Sequence, residues 1–106
     1  MTKLTDAEIV QALKEVPDWS ELNGALQRTF QFKDFVEAMK FVDKVAAAAE
    51  DAQHHPDILV RWNKVTLTVN THDAGGITVK DFDLAKRTDA MSGLPASSNK
   101  AKPSKP

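Results

Sequence analysis

The sequence contains no cysteine, which excludes disulfides and thiolate metal sites and fits a reducing compartment. Stability must therefore come from packing. Long hydrophobic runs are also missing, and nothing approaches the roughly 18 consecutive apolar residues of a membrane helix. The N-terminal stretch from Met1 to Asp6 has no basic segment leading into an apolar one, so a cytoplasmic protein without a cleaved signal is expected. Neither sign of charge dominates. The chain carries 14 Lys and Arg against 15 Asp and Glu, interspersed, for a net charge of −1. No basic stripe is available to neutralise a nucleic-acid backbone, and direct nucleic-acid binding is set aside.

What remains is a composition that folds. Of 106 residues, 42% are hydrophobic and 27% charged, as in globular domains, and the length allows one hydrophobic core rather than two. Residues 1–93 are read as a single domain. Residues 94–106 are mostly Ser, Lys and Pro with almost nothing apolar, which predicts a disordered tail.

Local signals order the elements. Thr5 and Glu8 have capping-box spacing, with Leu4 and Ile9 as the staple, so a helix is expected from Asp6 to about Glu15 before Pro17 stops it. Asn23-Gly24 is the pair that a two-residue hairpin turn prefers, which makes Trp19 to Phe32 two antiparallel strands. Leu26, Phe30 and Phe32 share one parity, and Arg28 interrupts that face, a feature read as snorkelling or an edge position. Asp34 and Glu37 repeat the capping spacing, and Phe35, Met39, Val42, Val45, Ala46 and Ala49 form a stripe on a long helix ending near Gln53. The small residues Ala46 to Ala49 would let a sheet or another subunit approach closely. Ile58, Val60 and Trp62 alternate, as do Val65, Leu67 and Val69 beyond an Asn63-Lys64 turn, giving a second strand pair. Gly75-Gly76 marks a loop. Thr78 and Asp81 then open a third capped helix, stapled by Ile77 and Phe82 and ending near Gly93. The order α-β-β-α-β-β-α predicts an α+β fold, a four-stranded antiparallel sheet with three helices packed on one face.

The chemistry-bearing residues are concentrated. All three histidines of the chain, His54, His55 and His72, fall between positions 54 and 72. Histidine titrates closest to neutral pH, so such a group is suited to proton transfer. Structural roles stand beside that one: His54-His55-Pro56 can cap the last carbonyls of a helix, and His72 can simply close a strand. Asp81 is what a capping box asks for, Glu50 can be a solvated charge, and Gly75-Gly76 a plain turn. Adjacent histidines on an extended backbone point apart and no two potential ligands share a helix face, so no metal site is expected.

Glu50, His54-His55-Pro56, Trp62, His72 and Asp81, with the intervals between them, resemble the pattern of the pterin-4a-carbinolamine dehydratases. The segment Phe30-Gln31-Phe32-Lys33-Asp34-Phe35 is similar to the strand-to-helix passage of that family, and the likeness runs from about Leu4 to Ala90. The resemblance implies a small α+β enzyme acting on 4a-hydroxytetrahydropterin, the species an aromatic amino-acid hydroxylase releases as it consumes its cofactor. Dehydration yields the quinonoid dihydropterin, returned to the tetrahydro form by a separate reductase. It further implies His54, His55, His72 and Asp81 as catalytic, Glu50 and Trp62 as substrate-binding, with Glu50 holding the polar pterin edge or fixing His54 and Trp62 serving as a wall or core residue. No bound cofactor is implied, because the pterin is the substrate. A homodimer or homotetramer is expected on the same ground. Some relatives in this family resemble dimerisation partners of a transcription factor, which leaves an interaction module as the alternative activity.

Overall fold

A computed structural model describes residues 2–95. Its elements follow the expected order: α1 (Asp6–Leu13), β1 (Ser20–Leu22), β2 (Ala25–Gln31), α2 (Phe35–Ala52), β3 (Asp57–Arg61), β4 (Lys64–Val69) and α3 (Val79–Ser92), with a single 3-10 turn at His72–Ala74 before the last helix. The sheet is antiparallel throughout, ordered β1-β2-β4-β3. The fold is thus α+β with three helices and a four-stranded antiparallel sheet. No helix among the described residues is long and apolar enough to cross a membrane.

Both ends of the capping box at Thr5 are made: its hydroxyl accepts from Glu8 N–H at 3.2 Å and its own N–H donates to Glu8 Oε1 at 2.8 Å. The helix stops sooner than Glu15. The N–H groups of Lys14, Glu15 and Val16 bond back to Gln11, Ala12 and Leu13 at 3.0–3.2 Å, a three-residue reach that tightens the last turn and rolls Val16 into the core. At the first hairpin Asn23 and Gly24 both take positive φ, 52° and 80°, as a type I′ turn demands.

One sheet face makes the core. Leu26 and Phe30 of β2 and Val65, Leu67 and Val69 of β4 are buried there. On the opposite face Thr29 and Thr66 hydroxyls bond at 2.8 Å and Gln27 donates to Thr68 at 3.0 Å. Arg28 lies on the core face of an interior strand, so neither snorkelling nor an edge position accounts for it. Its guanidinium donates to Asp89 at 2.7 Å, stands 3.7 Å from Asp18, and lies 4.1 Å from the centroid of the Phe30 ring. Trp19 Nε1 donates to the same Asp89 carboxylate at 2.8 Å. Pairing with acids on the α1–β1 connection and on α3 compensates the charge that this face would otherwise strand in the core.

The buried face of α2 is rotated from the expected stripe. Ala38, Phe41, Val45, Ala48 and Ala49 are buried, whereas Phe35 and Ala46 are exposed and Met39 and Val42 only half-covered. Phe41 sets that rotation: its ring lies 4.6 Å from Phe30 and 5.0 Å from Phe32, centroid to centroid, and the small Ala38 and Ala48 lie on the same side. The second hairpin also turns one residue earlier than expected. Arg61 pairs with Lys64, so Trp62 and Asn63 form the loop, and Trp62 sits in the left-handed region at φ 55°. Asn63 is pinned to Phe32, Nδ2 to the carbonyl at 2.9 Å and carbonyl from the N–H at 2.8 Å. Trp62 therefore leaves the strand and is 67% exposed, which corrects its reading as a core residue. Leu94 packs against the core, and the rest of the expected tail, 96–106, lies outside the described residues.

Candidate active site

The histidine site is built where α2 ends, β4 ends and α3 begins. α2 terminates because Gln53 takes the left-handed conformation, φ 54°, and His54 N–H returns to the Ala49 carbonyl at 3.0 Å. This reversal aims the chain into β3, and the two histidines part as neighbours on extended backbone do. His54 turns inward and is 9% exposed, while His55 faces solvent.

His54 Nε2 meets Asp81 Oδ1 at 2.5 Å. Asp81 is fully buried in the first turn of α3, and its Oδ2 accepts from Thr78 N–H at 2.8 Å and from the Thr71 hydroxyl at 2.9 Å. The Thr71 and Thr78 hydroxyls are themselves 2.7 Å apart, and Thr78 Oγ1 accepts from Lys80 N–H at 3.2 Å. Asp81 is thus a helix cap and a histidine partner at once; the two roles use different oxygens of one carboxylate.

His55 Nε2 pairs with Glu50 Oε2 at 2.6 Å, both side chains exposed. Glu50 accordingly holds His55 and not His54, which corrects that part of the sequence reading. His72 is exposed on the 3-10 turn, and its ring makes no hydrogen bond to the described residues. Its backbone is tied to the same network through its neighbour Thr71, whose N–H bonds Gly76 carbonyl at 2.8 Å. Trp62 is separated from the histidines by the whole of β3, roughly 17 Å of extended chain, and takes no part in this constellation within one chain.

A cavity of about 170 Å³ opens beside His54, lined by Ala52, Lys80, Asp83, Leu84 and Arg87. A larger and more open concavity, about 690 Å³, lies on the polar side of the sheet among Thr29, Leu59, Arg61, Trp62, Lys64 and Thr66; it contains no histidine. Among the described residues no three His, Asp or Glu side chains converge as a metal site would require. Sequence reasoning passed over Thr71 altogether. Strand parity gave no sign of it, because its partner is ten residues ahead.

A sequence model of the family described as pterin 4 alpha carbinolamine dehydratase matches residues 2–91. The chain belongs to this family. A protein from Picosynechococcus sp., provisionally named a pterin-4-alpha-carbinolamine dehydratase, is 52% identical over 90 residues, 85% of this chain and 98% of the relative. A protein of the same provisional name from Thermomicrobium roseum is 52% identical over 87 residues, covering 82% and 94%. Among solved structures, a transcriptional coactivator/pterin dehydratase from Brucella melitensis superposes with a TM-score of 0.84 at 34% identity, over 87% of this chain and all of that one. A pterin dehydratase-like protein described as a RuBisCO assembly factor of the alpha-carboxysome gives 0.63 at 26% identity, over 74% and 93%.

Proposed function

We propose that this chain dehydrates 4a-hydroxytetrahydropterin to quinonoid dihydropterin and water. The observation that carries the reading is the buried His54–Asp81 pair at 2.5 Å, in a chain of this family that keeps Glu50, His54, His55, His72 and Asp81. The reaction breaks the C4a–O bond and removes a proton from a ring nitrogen. One imidazolium protonates the departing hydroxyl, one neutral imidazole takes the nitrogen's proton, and the pair of transfers balances without an oxidant or a metal. Imidazoles suit both tasks near neutral pH. His54, His55 and His72 surround the reacting edge, Asp81 orients His54, and Glu50 steadies His55 or meets the polar pterin edge. The cavity beside His54 supplies apolar cover from Leu84 and Ala52 and polar groups from Lys80, Asp83 and Arg87.

In this reading the enzyme recycles tetrahydrobiopterin-type cofactor for an aromatic amino-acid hydroxylase, in the cytoplasm, as a homodimer or homotetramer. The decisive assay generates the carbinolamine in situ and follows its absorbance decay with and without protein. Acceleration over spontaneous dehydration supports the reading, and none at micromolar protein rejects it. An interaction module is the second reading, favoured by the coactivator and assembly roles named for the two structural neighbours. The buried carboxylate held against the His54 ring supports the enzymatic reading, because such a partner fixes an imidazole for proton transfer.

A further inference from the structure

The groups around Asp81 have a definite direction. Backbone N–H groups can only donate, so Lys80 N–H gives its hydrogen to Thr78 Oγ1 at 3.2 Å and Thr78 N–H gives its hydrogen to Asp81 Oδ2 at 2.8 Å. Thr71 spends its one hydroxyl proton on Oδ2 at 2.9 Å, so in the 2.7 Å contact between the two hydroxyls Thr78 must be the donor. The chain of bonds therefore runs one way, from the start of α3 through Thr78 and Thr71 into the carboxylate. Oδ2 receives two donors and has no acceptor to face. The remaining oxygen, Oδ1, meets His54 Nε2, and one proton lies between them.

That proton can reside on the acid or on the ring. Both donors on Oδ2 need lone pairs there, so that oxygen carries no proton of its own, and an ionised carboxylate is the stronger acceptor of such bonds. We propose that the Thr71–Thr78 hydroxyl pair is a positioning device for the histidine site: it keeps Asp81 an acceptor and so holds His54 with its proton on Nε2 and its Nδ1 bare. His54 lines the cavity beside it, and its Nδ1 makes no hydrogen bond to the described residues. A bare Nδ1 is the form that can accept a proton from a bound molecule. Thr71 and Thr78 touch no substrate; they act through Asp81. The inference rests on the dehydratase reading for its catalytic consequence, but the position of the proton is independent of it.

The test uses full-length protein labelled with ¹⁵N-histidine, long-range ¹H–¹⁵N correlation spectra at neutral pH, and dehydratase kinetics on the same samples. Wild type is expected to show His54 protonated at Nε2 and not at Nδ1. Thr71→Val, which keeps the shape and deletes the donor, should convert the His54 pattern to the opposite or a mixed tautomer and lower kcat about tenfold with KM within about twofold. Thr71→Ser should restore both. A wild-type His54 carrying its proton on Nδ1 overturns the proposal without recourse to any variant, which covers the case in which Thr71→Val does not fold. A folded Thr71→Val protein with the wild-type tautomer and rate overturns it as well. Failure of the dehydratase reading is seen separately, as absence of turnover in wild type with the tautomer shift intact.

Discussion

His54 meets Asp81 at 2.5 Å and His55 meets Glu50 at 2.6 Å, two pairs of the same chemical kind on consecutive histidines. Their surroundings differ in every other respect. The first pair is 10% and 0% exposed by side chain, the second 58% and 74%. The Asp81 carboxylate is held by two donors, one at the start of α3 and one just beyond β4, and by the His54 ring, whereas that of Glu50 has His55 alone. A contact distance therefore says little about what a pair contributes. Exposed pairs are screened and compete with water, so their contribution is typically under about 1 kcal/mol. A buried carboxylate that loses its charge strands the donors aimed at it, and each orphaned buried group costs about 1–3 kcal/mol. The inner pair is a fixed part of the fold that presents one ring; the outer pair and His72 stand at the solvent-exposed surface.

Substitutions can break this contrast. The largest effect on rate is expected from the exposed histidines: His55→Ala and His72→Ala should each slow dehydration by roughly 10²-fold with melting temperatures within about 2 °C of wild type, measured by the absorbance assay and by thermal denaturation. A melting temperature that falls with the rate would return these rings to a structural role. Asp81→Asn comes next and moves both quantities. Its rate should fall by about 10-fold or more, and stability by about 2–4 kcal/mol, a drop in melting temperature of roughly 10 °C or more. Asp81→Asn with normal rate and lowered melting temperature would reduce Asp81 to its helix cap. Glu50→Gln is the matching change in the outer pair, and it should leave stability within about 0.5 kcal/mol. Chemical denaturation of the two variants side by side tests the comparison directly; equal losses would end it.

The smallest effect concerns another exposed pair. Lys86 Nζ lies 2.6 Å from Glu15 Oε1, tying the turn after α1 to α3. The hydrogen bond to Lys86, then its charge, holds the Glu15 carboxyl below its ordinary value, and the same bond raises Lys86. A lowered carboxyl contributes stability above its unfolded value and loses it as pH falls through the folded one. A raised amine contributes below its unfolded value and loses it as pH rises through the folded one. Glu15→Gln should therefore lower the melting temperature only slightly near neutral pH, and by nothing in acid below the carboxylate range. Melting curves of both proteins at several pH values and two salt concentrations check this, the difference shrinking at high salt.

Much of the architecture was legible because its causes are local. Thr5 with Glu8 and Thr78 with Asp81 are capping boxes three residues wide, and Asn23-Gly24 is a turn of two residues whose backbone angles favour that dipeptide over most others. Period-two alternation alone puts Leu26 and Phe30, and likewise Val65, Leu67 and Val69, on one face of their strands, the face that is buried. The spacing of Glu50, His54, His55, His72 and Asp81 was likewise readable along the chain.

What depended on partners distant in sequence was not. Arg28 finds Asp89 61 residues away, Phe41 packs on Phe30 and Phe32 across the layer and so rotates α2, and Asn63 binds the Phe32 backbone 31 residues back and so moves the turn onto Trp62. Capping and turn preferences, by themselves, determined the elements, their order and the position of Asp81 at the start of a helix, because those terms act within a few residues. Only the tertiary structure decided which histidine faces a buried carboxylate and which faces water, because burial and hydrogen-bond direction arise where the ends of α2, β4 and α3 meet in space.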